Sequence, residues 1–178
     1  MGPENVLNKS VILDTSALIM GLEPQLLANE AYTTSEVLSE LRSRVLDIRS
    51  SASILQDRLK VLDPLPEFVE SADKATLATG DKSELSKTDL SVIALTLQLN
   101  SQGKDIILIS DDYRVQNVAE HLGIKYKSMG TPGIKKGFIW QTSCKSCGTK
   151  FPATYRDNNC EVCGGNLIRR VKTRKRLR

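Results

Sequence analysis

Two C-x-x-C pairs, Cys144/Cys147 and Cys160/Cys163, lie twelve residues apart in the 178-residue chain and fix what that stretch can fold into. Each pair is a knuckle whose two thiolates point at one ion, and two knuckles make a closed tetrahedral site of four sulfurs. Glycine follows each knuckle, in "CKSCG" and "CEVCGG", and permits the tight backbone turn. A segment this short buries too little apolar surface to fold alone, so the metal supplies its folding free energy. A structural zinc ion is the expectation; iron fits the same spacing. The competing reading, two disulfides, needs an oxidising compartment. The opening "MGPENVLNKS" has no basic segment followed by a long apolar one, so no secretory leader is expected. No window reaches membrane-span length, and a cytoplasmic protein is the expectation.

Before the knuckles the pattern is one of alternation. "SVIL" at Ser10 is a first strand, the apolar stretch to Met20 a short helix, and "GLEPQ" a loop. From Tyr32 to Leu59, apolar residues at Val37, Leu41, Val45, Ile48, Ala52, Leu55 and Leu59 recur at gaps of three and four, which predicts one or two helices. "KVLDPLP" is a second short strand stopped by prolines, and Pro66 opens a helix to about Ala78. After the polar loop "ATGDKSELSK", a helix begins near Thr88. "DIILIS" is a buried strand, Tyr113–Leu122 a helix closed by Gly123, and "IKYKS" a last strand. Strands alternating with helices predict an α/β fold with a parallel sheet flanked by helices. The glycine-rich "GTPGIKKG" marks a linker. The expected organisation is an α/β domain over 1–130, a linker over 131–139, the cysteine ribbon over 140–168 and a basic tail over 169–178.

Several acids fall at the ends of these elements. Asp14 follows the first strand, and Asp111 and Asp112 follow "IILIS", so a parallel sheet brings them to one edge. Glu40 lies beside Leu41 on its helix, and Asp89 shares the stripe of Val92, Ile93 and Thr96. Taken singly, each acid is explained by helix capping: Asp14 and Asp111 or Asp112 as N-caps, Ser86 with Asp89 and Thr33 with Glu36 as capping boxes. Taken together they repel one another unless a divalent cation neutralises them. Oxygen-only ligands select Mg²⁺ or Mn²⁺, and such a site suits phosphodiester hydrolysis. The sole histidine, His121, excludes a two-histidine ribonuclease mechanism within one chain. No phosphate-cradling glycine loop occurs, and no small-molecule cofactor is expected.

"VILDTSALI", "TTSEVLSELR", "LSKTDLSVIALTLQL" and "ILISDDYRVQNVA" resemble the successive acidic motifs of PIN-domain nucleases. A zinc ribbon following them resembles the pre-ribosomal RNA endonucleases of the NIN-one-binding protein family. The resemblance covers about the first 130 residues and implies Asp14, Glu40, Asp89 and Asp112 as Mg²⁺ or Mn²⁺ ligands. Ser16 and Ser110 match its supporting hydroxyl positions. Glu36, one turn from Glu40, and Asp111, beside Asp112, stay open as alternatives. The resemblance implies cleavage of precursor rRNA at the 3′ end of small-subunit rRNA, with the small ribosomal subunit and ribosome assembly factors as partners. The alternatives are a PIN toxin-like ribonuclease acting on mRNA or tRNA, and a noncatalytic RNA-binding assembly factor.

Charge distribution agrees with a polyanionic partner met from one end. Arg169 to Arg178 carries seven of the 25 basic residues and no acid, which leaves 18 basic against 21 acidic residues in the body. Taken alone, the tail reads as a solvated, disordered charge run. Lys135, Lys136, Lys145, Lys150 and Arg156 interleave with Phe138, Trp140, Phe151 and Tyr155, a composition suited to phosphate pairing and base stacking. Lys135, Lys136, Trp140, Lys145, Lys150, Arg169, Arg170 and Lys172 are the expected RNA contacts. Phe151 is expected in the ribbon's own core.

Overall fold

Val11–Leu13 and Ile106–Ile109 have no polar face, so both belong in a sheet covered on its two sides. The computed structural model, which describes residues 9–20, 30–44, 59–134, 136–152, 155 and 157–176, places them there. β1 (Ser10–Leu13) lies between β2 (Glu30–Thr33) and β4 (Ile106–Ile109), with β3 (Leu59–Val61) and β5 (Tyr126–Lys127) outermost, and all five strands are parallel. The helices are α1 (Thr15–Ile19), α2 (Ser35–Arg44), α3 (Pro66–Thr79), α4 (Lys87–Ser101) and α5 (Tyr113–Leu122). Val11, Ile12, Ile93, Leu95, Leu108 and Val118 form the centre of the core.

The chain runs outward from β1 through β2 to β3, then crosses back to β4 on the other side of β1. Strand order therefore reverses between β1 and β4, and in such sheets a crevice opens there, beyond the carboxyl ends of the strands. Leu13 pairs with Ile109, so Asp14 and Ser110 are the first residues past the sheet on either side of that crevice. The Asp14 N–H donates to the Ile109 carbonyl at 3.2 Å and holds the two exits together.

Four expectations need correction. Tyr32 and Thr33 end a strand instead of opening a helix: Thr33 donates its hydroxyl to the Leu13 carbonyl at 2.9 Å, tying β2 to β1. The cap of α2 is consequently Thr34, whose hydroxyl accepts from the Val37 N–H, and no Thr33–Glu36 capping box forms. The expected linker ends in β6 (Lys136–Cys144), and the expected tail lies in β8 (Leu167–Arg176), not in a disordered run. These two pair antiparallel along nearly their whole length, with the short β7 (Lys150–Phe151) on the other side of β6. The helical register expected at Val45, Ile48, Ala52 and Leu55, the loop "GLEPQ" and the side chains of Lys135 and Arg156 lie outside the described residues. No helix among the described residues is long and apolar enough to cross a membrane.

The second sheet is clamped to the first unit. Asn117 of α5 acts as a strand edge would: its Oδ1 accepts from the Phe138 N–H at 2.7 Å, and its Nδ2 donates to the Phe138 carbonyl at 2.8 Å. The same Nδ2 donates to Asp81, which in turn accepts from the Arg169 guanidinium. Gly80, at φ 74° past the end of α3, lies so close to Trp140 that a Cβ there would meet its carbonyl oxygen at 2.7 Å. Replacing Asn117 by Leu takes the side-chain partner from both Phe138 backbone groups in a half-buried place. The expected cost is about 3 kcal/mol, roughly 10 °C in Tm; a thermal melt identical to the wild type would remove the clamp from the account.

Candidate active site and cysteine metal centre

Three of the acids are positioned by the caps that also explain them singly. Asp14 caps α1 with Oδ1, which accepts from the Thr15 N–H at 2.6 Å. Asp89 closes the capping box of α4: its Oδ2 accepts from both the N–H and the hydroxyl of Ser86 at 2.8 Å. Asp112 caps α5, its Oδ1 accepting from the Arg114 N–H at 2.7 Å. Among the described residues, Oδ1 of Asp89 and Oδ2 of Asp112 accept no bond and remain available. Capping and clustering are thus one device, because helix starts crowd the carboxyl edge of a parallel sheet.

Two serines complete the arrangement. Ser110 donates its hydroxyl to Asp14 Oδ2 at 2.7 Å and accepts from the Asp112 N–H at 3.2 Å, linking two of the acids through one oxygen. Ser16 donates to Asp14 at 3.3 Å and accepts from the Asp111 N–H. Glu40 accepts the Thr15 hydroxyl at 3.0 Å, which brings the middle of α2 to the start of α1.

Electrostatics show that the acids sense one another. Asp14 is 3% exposed, and burial pushes its carboxyl from the ordinary 3.8 up to about 6; the Ser110 bond opposes the shift and the charge of Asp89 adds to it. Burial likewise raises Asp89, against the Ser86 bonds, with Asp112 and Glu40 contributing as like charges. Among the described residues no lysine or arginine forms an ion pair with Asp14, Asp89 or Asp112. The opposite edge of the sheet is the reverse case. There Glu30 meets Lys60, Tyr32 and Lys104, and its carboxyl is lowered to about 2. An acid group that is partly buried, mutually repelling and made of oxygens alone fits a hard dication such as Mg²⁺ or Mn²⁺.

The alternatives lie elsewhere. Glu36 is exposed on the first turn of α2. Asp111 turns to the following loop, where its carboxylate accepts from the N–H groups of Met129, Gly130 and Thr131. Burial opposes its ionisation, but those donors more than offset it and hold the carboxyl below its usual range. Thr15, Asp81, Gln116 and Asn117 escape the sequence reading. Gln116 is fully buried, donates to the Ser110 carbonyl at 2.9 Å and accepts from the Ile134 N–H at 2.8 Å, so it ties the acid loop to the approach of β6. The available signal was two amides set among Val115, Val118 and Ala119, where a helix buries apolar residues.

The four cysteine sulfurs lie within 4.8 Å of one another. Cys144 and Cys163 are 3.5 Å apart and Cys147 and Cys160 3.6 Å. A disulfide needs about 2.04 Å, whereas a tetrahedral tetrathiolate with metal–sulfur bonds of about 2.3 Å has edges of about 3.8 Å. The disulfide reading falls, and the geometry is that of a metal site. Among the described residues the hydrophobic cluster around it consists of buried Cys144, Phe151 and Cys160, with Tyr155 and Leu167 packed against them. Among the described residues the acids do not converge as tightly as these sulfurs. An ion held by acids so spaced would keep waters between itself and some of the carboxylates.

Of the expected RNA contacts, Lys136, Lys145, Lys150, Arg170 and Lys172 are exposed. Arg169 differs. It is committed to Asp81 and the Gly80 carbonyl, and its guanidinium lies 4.4 Å over the Trp140 ring. Trp140 in turn packs beside Phe138 at 5.5 Å between ring centroids.

Residues 11–99, half of the chain, match the family model described as the PIN domain of ribonuclease. "Endoribonuclease Nob1" of Methanothermobacter thermautotrophicus is 36% identical over 172 residues, covering 94% of this chain and 96% of that protein. A protein of the same name from Methanocaldococcus jannaschii is 36% identical over 167 residues, covering 93% and 80%. "Ribonuclease VapC1" of Thermoplasma acidophilum is 30% identical over 166 residues, covering 93% and 80%. Matches of that length include both the acids and the cysteine knuckles.

Proposed function

Because the chain belongs to the Nob1 endoribonuclease family within the PIN-domain ribonucleases, we propose that it cleaves precursor rRNA at the 3′ end of small-subunit rRNA with a divalent cation. The observation that carries the hydrolytic reading is the meeting of Asp14, Glu40, Asp89 and Asp112 at the strand-order reversal with no lysine or arginine among the described residues to neutralise the aspartates. These four residues would hold Mg²⁺ or Mn²⁺. When bound, such an ion stabilises charge on a phosphoryl oxygen and makes water acidic enough to attack phosphorus. The chain's own part is positioning. Ser110 and Ser16 orient the Asp14 carboxylate, Thr15 anchors Glu40, and each cap takes up one oxygen of Asp89 or Asp112 while its second stays available for a ligand.

The cysteine module is read as a zinc ribbon whose role is structural, since protein sulfur fills all four positions. Its exposed lysines and arginines contact phosphates and so set where the RNA lies, without reading its sequence.

The test is incubation of the full chain in Mn²⁺ with an RNA spanning the 3′ end of small-subunit rRNA. The expected result is one cut, leaving 5′-phosphate and 3′-hydroxyl ends, with protein–RNA crosslinks clustered at that end. Binding without cutting under any divalent ion would make the chain a noncatalytic assembly factor. Preferential cutting of mRNA or tRNA would favour a toxin-like role.

A further inference from the structure

The junction between the two sheets holds a cavity of about 380 Å³, within the size range of small-ligand sites. We propose that this cavity is a nucleobase pocket, which seats one unpaired RNA nucleotide beside the bond to be cut. Three aromatic rings, Tyr113, Phe138 and Trp140, line it, and three cations, Arg114, Lys136 and Arg169, line it with them. Tyr113 is the first residue of α5 and follows Asp112 directly, so the pocket begins one residue from the acid cluster.

Folding alone does not explain Tyr113, and Arg169, which docks β8, is placed to do more than that. Tyr113 is 49% exposed and contributes little to the core, yet it is a large aromatic at the edge of the crevice. Arg169 is immobilised by Asp81 and Gly80 and stacked on Trp140, which fixes a cation and an aromatic face in advance of any ligand. Its Nε is buried and has no acceptor among the described residues. Asp81 lines the cavity too and is paired with Arg169, and Glu84 lies 3.6 Å from Arg114, so the cations at its edge are partly balanced. Flat apolar walls beside them, with Lys136 at the rim, match a base with its phosphates. An apolar metabolite has no use for three cations, and an acidic peptide none for aromatic walls beside a phosphodiester-cleaving centre.

The chemistry also sets how selective the pocket is. The edge readers that could discriminate bases are already occupied: Asn117 is satisfied by Phe138 and Asp81, and Asp81 by Asn117 and Arg169. The pocket therefore recognises a base by its stacking face and demands that it be unpaired, with little preference among the four.

The placement beside the cut bond rests on the nuclease reading, so the test separates the two. A short single-stranded oligoribonucleotide is scanned with one abasic position at a time. Binding is measured without Mg²⁺ or Mn²⁺, and cleavage in Mn²⁺, with the full metal-loaded chain. One abasic position weakens wild-type binding about tenfold, Tyr113→Ala imposes the same loss and becomes insensitive at that position, and Tyr113→Phe rescues it. In cleavage the Tyr113→Ala loss falls on KM and not on kcat. Abasic sensitivity that is the same in wild type and Tyr113→Ala at every position overturns the pocket, as does a loss confined to kcat. If the binding pattern appears and no cleavage does, the pocket stands and the nuclease reading falls; cleavage without the pattern removes the pocket alone.

Discussion

Asp14→Asn lowers RNA cleavage at least about a hundredfold while making the metal-free protein more stable. Both effects come from one carboxylate. Its side chain sits at the crevice with Ser110 and Ser16 on it, and losing the charge removes a principal attraction for the dication. Asn keeps the cap, because its carbonyl oxygen accepts from the Thr15 N–H as well as a carboxylate does. The sign of the stability change follows from the raised pKa. With the folded value about 6 and the ordinary value 3.8, folding favours the protonated acid. The resulting penalty is absent below pH about 4, grows through that interval and is complete above about 6. At neutral pH it amounts to as much as about 3 kcal/mol; the Asn variant escapes it and gives up only the Ser110 and Ser16 hydrogen bonds to Oδ2, about 1 kcal/mol in return. In chelator at pH 7 the variant should therefore melt several degrees above the wild type, with the difference vanishing toward pH 4. Added Mn²⁺ should raise the Tm of the wild type and leave the variant unmoved. Undiminished cleavage by the variant, or equal melting of the two in chelator at pH 7, would falsify the assignment of Asp14.

Much of this site was legible because the sequence writes strand ends plainly. Four apolar residues stop at Ser110, three stop at Asp14, and parallel alternation leaves only one edge for the residues that come next. Helix α5 was legible to the residue, since Asp112 caps it and Gly123 closes it. Strand β2 was hidden for a physical reason. Its buried residues, Ala31, Tyr32 and Thr33, owe their burial to pairing with β1 and to a side-chain bond to Leu13, and neither leaves a run of branched apolar residues. Strand β8 was hidden by charge. Arg170, Lys172 and Arg174 are exposed on it while Arg169 faces an acid, so cations stand where a strand usually shows apolar alternation. Asp81 looked like part of a polar turn; only the arrival of Arg169 from 88 positions away buries it. Contacts between distant segments, not local pattern, decide such residues. One practical consequence is that deleting 169–178 would not isolate the contribution of a phosphate-binding tail, because it removes the partner of β6 and the anchor to Asp81 together.

Stripping the metal from the cysteine module, or replacing Cys160 by Ser, should unravel the knuckles and leave the nuclease domain folded. Burial of Cys144, Phe151 and Cys160 cannot offset the ordering of some twenty residues, for each costs roughly 1–2 kcal/mol of backbone entropy. An ion held by four thiolates supplies about 10–16 kcal/mol at neutral pH, which is the difference between folded and unfolded for a unit of this size. Without a cation among them the thiols also work against one another: the Thr149 hydroxyl and backbone favour the Cys147 thiolate, whereas the neighbouring Cys147 and Cys144 raise Cys163 despite a bond from the Gly165 backbone. Unfolding should stop at a definite place. The first half of β6 is held by Asn117 through Phe138, and β8 by Asp81 through Arg169, so those segments stay docked. Backbone amide signals from 144 to 166 should collapse to the unfolded range while those of β1, β4 and α5 keep their positions, and mass spectrometry should count one zinc lost per chain. RNA affinity should fall with Lys145 and Lys150 no longer fixed, and the slope of log affinity against log salt should flatten by about 0.7 for each phosphate no longer neutralised. Amide signals of the knuckles that persist in the metal-free protein would mean that the packing of Phe151 and Tyr155, at 4.3 Å between ring centroids, suffices to fold the module.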